Sequence, residues 1–205
     1  MKLGGSSYFR RSVMVAAACI LAVVLTACTG KGGGYLPANE PAGFTGQAPF
    51  GFTFSCEDKG GLNPPTGKLA IELAYGDQGT SLLLGAPFSI HGIVDKIDPV
   101  LESQICAGRE PPPGGTELIF LGRYRPTSSS KPGGLKNCPT RETTTSPLCR
   151  FEVIVRDNDD NLRPSKGDFF SIKLSSATAV TSALNPADVF YARAGTLAGG
   201  NITVK

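Results

Sequence analysis

The chain has 205 residues, 40% hydrophobic and 18% charged, with a net charge of +3. Lys2, Arg10 and Arg11 supply that excess, and the remaining chain balances 17 basic against 17 acidic side chains. This balance argues against a dedicated nucleic-acid binder, which needs clustered positive charge to displace counterions from phosphates. The 26 glycines, 16 prolines, absent tryptophan and single histidine, His91, suit short strands joined by turns.

The N-terminal residues carry Lys2, Arg10 and Arg11 without an acid, and residues 13–25 are almost wholly apolar. This apolar run is shorter than the ~20 residues that span a bilayer core. A charged start, a short apolar run and small residues before a cut site make a secretory signal. Leu25-Thr26-Ala27-Cys28 closes the run and resembles the bacterial lipobox. The resemblance implies a lipoprotein signal peptide at 1–27, cleavage before Cys28, and palmitate or a similar acyl chain on that cysteine. It places the protein outside the cytoplasm, held on the bacterial cell membrane or outer membrane by lipid. Arg10-Arg11-Ser12-Val13-Met14 also resembles, faintly, a twin-arginine export signal. Residues 28–47, with Gly32-Gly33-Gly34, are expected to form a lipidated tether. Tyr35 and Leu36 are an alternative first edge strand, and residues 48–205 are expected to form the folded domain.

Phe50, Phe52 and Phe54 alternate with Gly51, Thr53 and Ser55, and Leu69, Ile71, Leu73 and Tyr75 repeat the pattern. Further strands are expected at 81–84 running on through 88–95, then at 117–124, 150–157, 169–174 and 201–205, with a helical turn at 185–188. Period-two alternation between turn residues predicts an all-β fold, here an antiparallel β-sandwich of about seven strands. Two long connections, 98–116 and 125–149, hold Cys106, Cys138 and Cys149.

Four cysteines beyond Cys28 in an exported chain predict two disulfides. In a simple meander, Cys56 and Cys106 lie at one end and Cys138 and Cys149 at the other. A strand of eight residues is about 26 Å long, against a limit of about 7 Å between bridged Cα atoms. The expected pairs are therefore Cys56–Cys106 and Cys138–Cys149, stapling the long loops. A turn at Gly85 that splits the third segment would reverse this parity. No cysteine pair has C-x-x-C spacing, which argues against zinc.

A family resemblance spans most of residues 30–205. It is carried by Lys31-Gly32-Gly33-Gly34-Tyr35, Phe50-Gly51-Phe52, Ile90-His91-Gly92-Ile93-Val94, Phe151-Glu152-Val153-Ile154-Val155-Arg156-Asp157-Asn158, Gly167-Asp168-Phe169-Phe170-Ser171-Ile172 and Leu197-Ala198-Gly199-Gly200-Asn201-Ile202. These stretches resemble a small all-β module found near choice-of-anchor domains in secreted bacterial surface proteins. The resemblance implies a non-catalytic β-sandwich. The two long loops and four cysteines depart from it.

Asp157, Asp159 and Asn161 at alternate positions, with Asp168 after them, could converge on calcium. Leu162 and Asp168 stand where an EF-hand needs Gly and Glu, so that motif fails, and a polar turn accounts for the same residues. Arg123, Arg125, Lys131, Lys136, Arg141 and Arg150 face only Glu142 in residues 121–150, a segment suited to an anionic polymer or headgroup surface, or to plain solvation. His91 on an apolar strand reads as a sheet residue. No G-x-S-x-G, P-loop, H-E-x-x-H or G-x-G-x-x-G motif occurs.

These features predict a non-enzymatic cell-envelope lipoprotein that acts as a structural or adhesive contact module. Its expected partners are the membrane, through lipid on Cys28, and an envelope polymer or protein. The alternative is a small-ligand or calcium-binding surface lipoprotein. A deep apolar cavity would favour the carrier, and a filled core the contact module.

Overall fold

The computed structural model describes residues 29–56, 69–79, 85–93, 117–158, 167–179 and 184–204. The described residues form nine strands: β1 Thr29–Leu36, β2 Ala48–Cys56, β3 Leu69–Asp77, β4 Phe88–Ile93, β5 Glu117–Pro126, β6 Cys149–Arg156, β7 Phe169–Ser175, β8 Val189–Thr196 and β9 Gly199–Val204. Helical structure among the described residues is confined to 3-10 turns at Gly133–Asn137 and Pro186–Asp188. The second has the expected cap, with Asn185 Oδ1 accepting from the Ala187 N–H at 3.1 Å. Among the described residues no helix is long and apolar enough to cross a membrane.

The all-β, antiparallel expectation holds, but the layering differs. The strands form one nine-stranded sheet in the order β8-β7-β6-β5-β4-β3-β2-β1-β9, curled into a half-barrel, rather than a sandwich of about seven strands. Phe50 of β2 and Phe170 of β7 stack at 3.8 Å although four strands separate them in the sheet, so the sheet folds over onto itself. Alternation fixes which face of each strand is buried. It does not state whether the buried faces belong to two sheets or to one that coils through accumulated strand twist. β8 and β9 form one run of chain that first pairs with β7 and then with β1. The handover is at Leu197, whose N–H reaches Asp168 O at 2.9 Å, and Ala198, whose N–H reaches Tyr35 O at 3.1 Å.

The expected tether is corrected as well: residues 29–36 are β1, bonded to β2 on one side and β9 on the other. Its glycines serve contact. A Cβ at Gly32 would lie 2.8 Å from Asn201 O, and one at Gly34 would collide with Gly199 O. Glycine at these places admits β9 to van der Waals range of β1, a use of the residue that composition alone confuses with flexibility.

The concave face is filled. Phe50, Phe52, Phe54, Leu73, Phe120, Phe151, Val153, Phe170, Ile172 and Leu174 are all buried. Phe54 and Phe52 lie 5.3 and 5.5 Å from Phe120, and Phe120 meets Phe151 edge-on at 6.1 Å. The Phe151 ring covers Gly92, where a Cβ would approach it to 2.8 Å. Among the described residues the third segment enters the sheet as β4, after Gly85 at φ +71°, and 81–84 and 94–95 lie outside the described residues.

Cys138 and Cys149 form a disulfide with Cα atoms 5.6 Å apart. It closes the connection between β5 and β6, and both cysteines are buried. The Tyr124 hydroxyl sits 3.1 Å from Cys138 Sγ and donates to Ser175 O at 3.3 Å, and burial pushes its pKa far above the usual phenol range. Cys106 and the side chain of Cys56, hence the Cys56–Cys106 pair, lie outside the described residues.

Candidate functional site

Among the described residues, one polar cluster lies inside the half-barrel and one concavity on its outer face. Inside, β3 and β8 bring Asp77 and Arg193 together, with Arg193 Nη1 3.1 Å from Asp77 Oδ2 and both side chains at most 1% exposed. Tyr191 donates to Asp77 Oδ2 at 2.7 Å, leaving its oxygen to accept from Tyr75 at 2.6 Å, and the Gly79 N–H binds Asp77 Oδ1 at 3.0 Å. The remaining Arg193 nitrogens donate to Pro37 O at 2.7 Å, Gly46 O at 2.8 Å and Glu40 O at 3.2 Å, and the guanidinium lies 4.6 Å over the Phe44 ring. Burial pushes both phenols far above their ordinary range, and for Tyr191 the neighbouring Tyr75 and Asp77 add to it. They are neutral donors in series, Tyr75 to the Tyr191 oxygen and Tyr191 to Asp77. The bonds from Arg193 to Pro37, Glu40 and Gly46 clamp the loop at 37–47, while its Nη1 meets Asp77 by charge and makes no hydrogen bond.

Outside, the registers align Gly33, Gly51, Ala74, His91 and Arg125 in one row across β1 to β5. Gly51, Ala74 and Gly76 form the floor of an open trough of about 530 Å³, and Pro49, Ser89, His91 and Thr127 line its rim. The rim is fixed to β4: the Thr127 N–H donates to Ser89 O at 2.9 Å, the Ser89 N–H to Ser128 Oγ at 3.2 Å, and the Ser89 and Thr127 hydroxyls meet at 2.8 Å. Small residues at outward positions leave a flat floor, with hydroxyls, the half-buried His91 and the exposed Arg125 along one side. Such a surface can accept an extended polymer or a protein segment. Nothing in it pairs a nucleophile with a base.

Of the four positions in the calcium expectation, Asp157 and Asp168 fall among the described residues. Asp168 is fully buried, its Oδ1 accepting from Asn158 N–H at 3.0 Å and its Oδ2 from Ile202 N–H at 2.7 Å. Asp157 Oδ2 accepts from Val204 N–H at 3.2 Å. Both carboxylates thus satisfy backbone donors on β9 and the adjoining turn, while Asp159 and Asn161 lie outside the described residues. Among the described residues no three His, Cys, Asp or Glu side chains group as metal ligands.

The cationic segment is partly spent on the fold. Arg123 bonds Glu142 at 2.6 Å, and Arg150 is buried, with Nε donating to Gly122 O and Nη1 to Ala179 O, each at 3.2 Å. Arg125, Lys136 and Arg141 are exposed and Lys131 is half-buried. The reading of single residues misses Asp77 and Arg193 because they stand 116 positions apart in the chain. The available signal is a charge at an inward position of an alternating strand, as Arg193 is beside Tyr191. No protein-family model matches the chain, and neither a curated protein nor a solved structure matches it, so its function is inferred from its own residues and geometry.

Proposed function

We propose that the protein is a non-enzymatic lipoprotein of the bacterial cell envelope, anchored by lipid on Cys28, whose outer trough over β2, β3 and β4 is its contact surface. The observation that carries this reading is the contrast between the two sides of the sheet. The concave side is occupied by stacked aromatic and aliphatic side chains, whereas the convex side carries a concavity of about 530 Å³ floored by Gly51, Ala74 and Gly76. A carrier holds its ligand in an enclosed, largely apolar cavity with convergent polar groups; the aromatic and aliphatic packing among the described inner residues supports the contact module over it. The lipobox residues Leu25-Thr26-Ala27-Cys28 support the anchor.

The trough is tested by filling it. Ala74 is exposed, so Ala74→Trp adds bulk to the floor and alters stability by no more than about 0.5 kcal/mol. Sedimentation with isolated cell-wall sacculi should retain the unaltered protein and release the variant at equal melting temperature. Equal retention of both, or retention of neither, would overturn the trough as the contact surface.

A further inference from the structure

We infer that the partner of the outer trough is an anionic polymer of the envelope, recognised through its carboxylates by an arginine cluster at the β5 end of the trough. The inference rests on the trough reading above and names the chemistry that the trough takes. The row Gly33, Gly51, Ala74 ends in His91 and Arg125, which stand opposite each other on β4 and β5.

Tyr124 belongs to the core, so alternation sets Arg123 and Arg125 together on the outer face, about 7 Å apart along β5. Arg150 of β6 is the register partner of Arg123, and like charges placed directly opposite repel. Arg141 precedes Glu142, whose carboxylate lies 2.6 Å from Arg123. Four arginines thus meet one carboxylate in this corner of the fold. The other described acids nearby are committed or distant. Glu152 of β6 binds Lys173 at 2.7 Å, Glu117 binds Arg156 at the far end of β5, and Glu72 stands two strands away on β3.

The four have different parts. Arg150 is buried and donates to two carbonyls, and Arg123 holds Glu142, so both set a positive field that salt screens poorly. Arg125 and Arg141 are exposed, and among the described residues no acid pairs with either. Glu142 shows which anion the cluster fits, because a planar guanidinium presents parallel N–H groups that match the two oxygens of a carboxylate. A second carboxylate, on a polymer lying over Gly51 and Ala74, offsets the charge at Arg125. The bare floor admits such a polymer close to the backbone, and the Ser89 and Thr127 hydroxyls give it neutral partners along the rim.

The test sediments the full chain with isolated cell-wall sacculi that are untreated, amidated at their carboxylates with carbodiimide and ammonia, or stripped of phosphate-linked polymers with hydrofluoric acid. Untreated and stripped sacculi should retain the protein equally, and amidated sacculi about tenfold less, the size of one charge-assisted contact. Arg125→Gln should bind untreated sacculi about tenfold less at unchanged melting temperature, and should lose nothing further on amidated ones. Equal retention on untreated and amidated sacculi, or unchanged retention of Arg125→Gln, would overturn the inference. A loss confined to stripped sacculi would overturn it in favour of phosphate. Ala74→Trp separates the two claims. If it still releases the protein, such a result defeats the carboxylate assignment alone; if it does not, the trough reading falls and takes the assignment with it.

Discussion

Removing one partner of the Asp77–Arg193 pair should destabilise the protein by a large share of its total stability. Asp77→Ala deletes the acceptor for Tyr191 and for the Gly79 N–H and leaves the Arg193 charge without its carboxylate. Breaking a buried ion pair in this way costs about 3–5 kcal/mol. The three carbonyls that still accept from Arg193 place the expected value near the lower end, about 3 kcal/mol. Arg193→Met should cost more, because it strands the Asp77 charge and also leaves the carbonyls of Pro37, Glu40 and Gly46 without their donor, each worth about 1–3 kcal/mol when buried. The double variant should be less destabilised than the sum of the two, with a coupling of about 2 kcal/mol. Against a total of about 5–15 kcal/mol for a typical domain, these losses are easily measured. Urea unfolding followed by tyrosine fluorescence is suited to a chain with five tyrosines and no tryptophan. A cost under about 1 kcal/mol for Asp77→Ala, or strict additivity in the double variant, would refute the clamp.

Paired replacement of Cys138 and Cys149 by alanine opens a loop with a sequence separation of 11, and the chain-entropy model gives a loss of about 3 kcal/mol; calorimetry that finds no fall in melting temperature would contradict it. Asp168→Ala should cost about 1–3 kcal/mol with or without calcium, because its carboxylate serves the N–H groups of Asn158 and Ile202. A calcium-dependent rise in melting temperature that Asp168→Ala abolishes would instead make it a metal ligand.

The fold class is legible where side chains alternate. Phe50, Phe52 and Phe54 in β2 and Phe151, Val153 and Val155 in β6 mark strands by period alone, and all six are buried. β1 escapes the same reading because Gly30, Gly32, Gly33 and Gly34 have no side chains with which to alternate. What places them is the approach of β9, which arrives from the other end of the sequence. The single curled sheet is hidden for a related reason: alternation is local, whereas closure depends on contacts such as Phe50 with Phe170. At the candidate site, His91 stands out as the only histidine, and Arg125 as part of a basic segment. The floor beside His91 consists of Gly51, Ala74 and Gly76, residues whose importance lies in the space they leave open. Asp157 and Asp168 stand out as oxygen-bearing side chains, and in the fold they accept backbone N–H groups of β9. Residue type identifies the chemistry available, and only the fold decides which partner receives it.

Membrane attachment through Cys28 is tested most directly by metabolic labelling with an alkyne fatty acid. The protein should carry the label, sediment with the envelope, and begin at residue 28 by mass. In Cys28→Ala the label should vanish and the protein should accumulate as uncut precursor or leave the membrane fraction. Normal membrane retention of Cys28→Ala, with no label on the unaltered chain, would contradict the account.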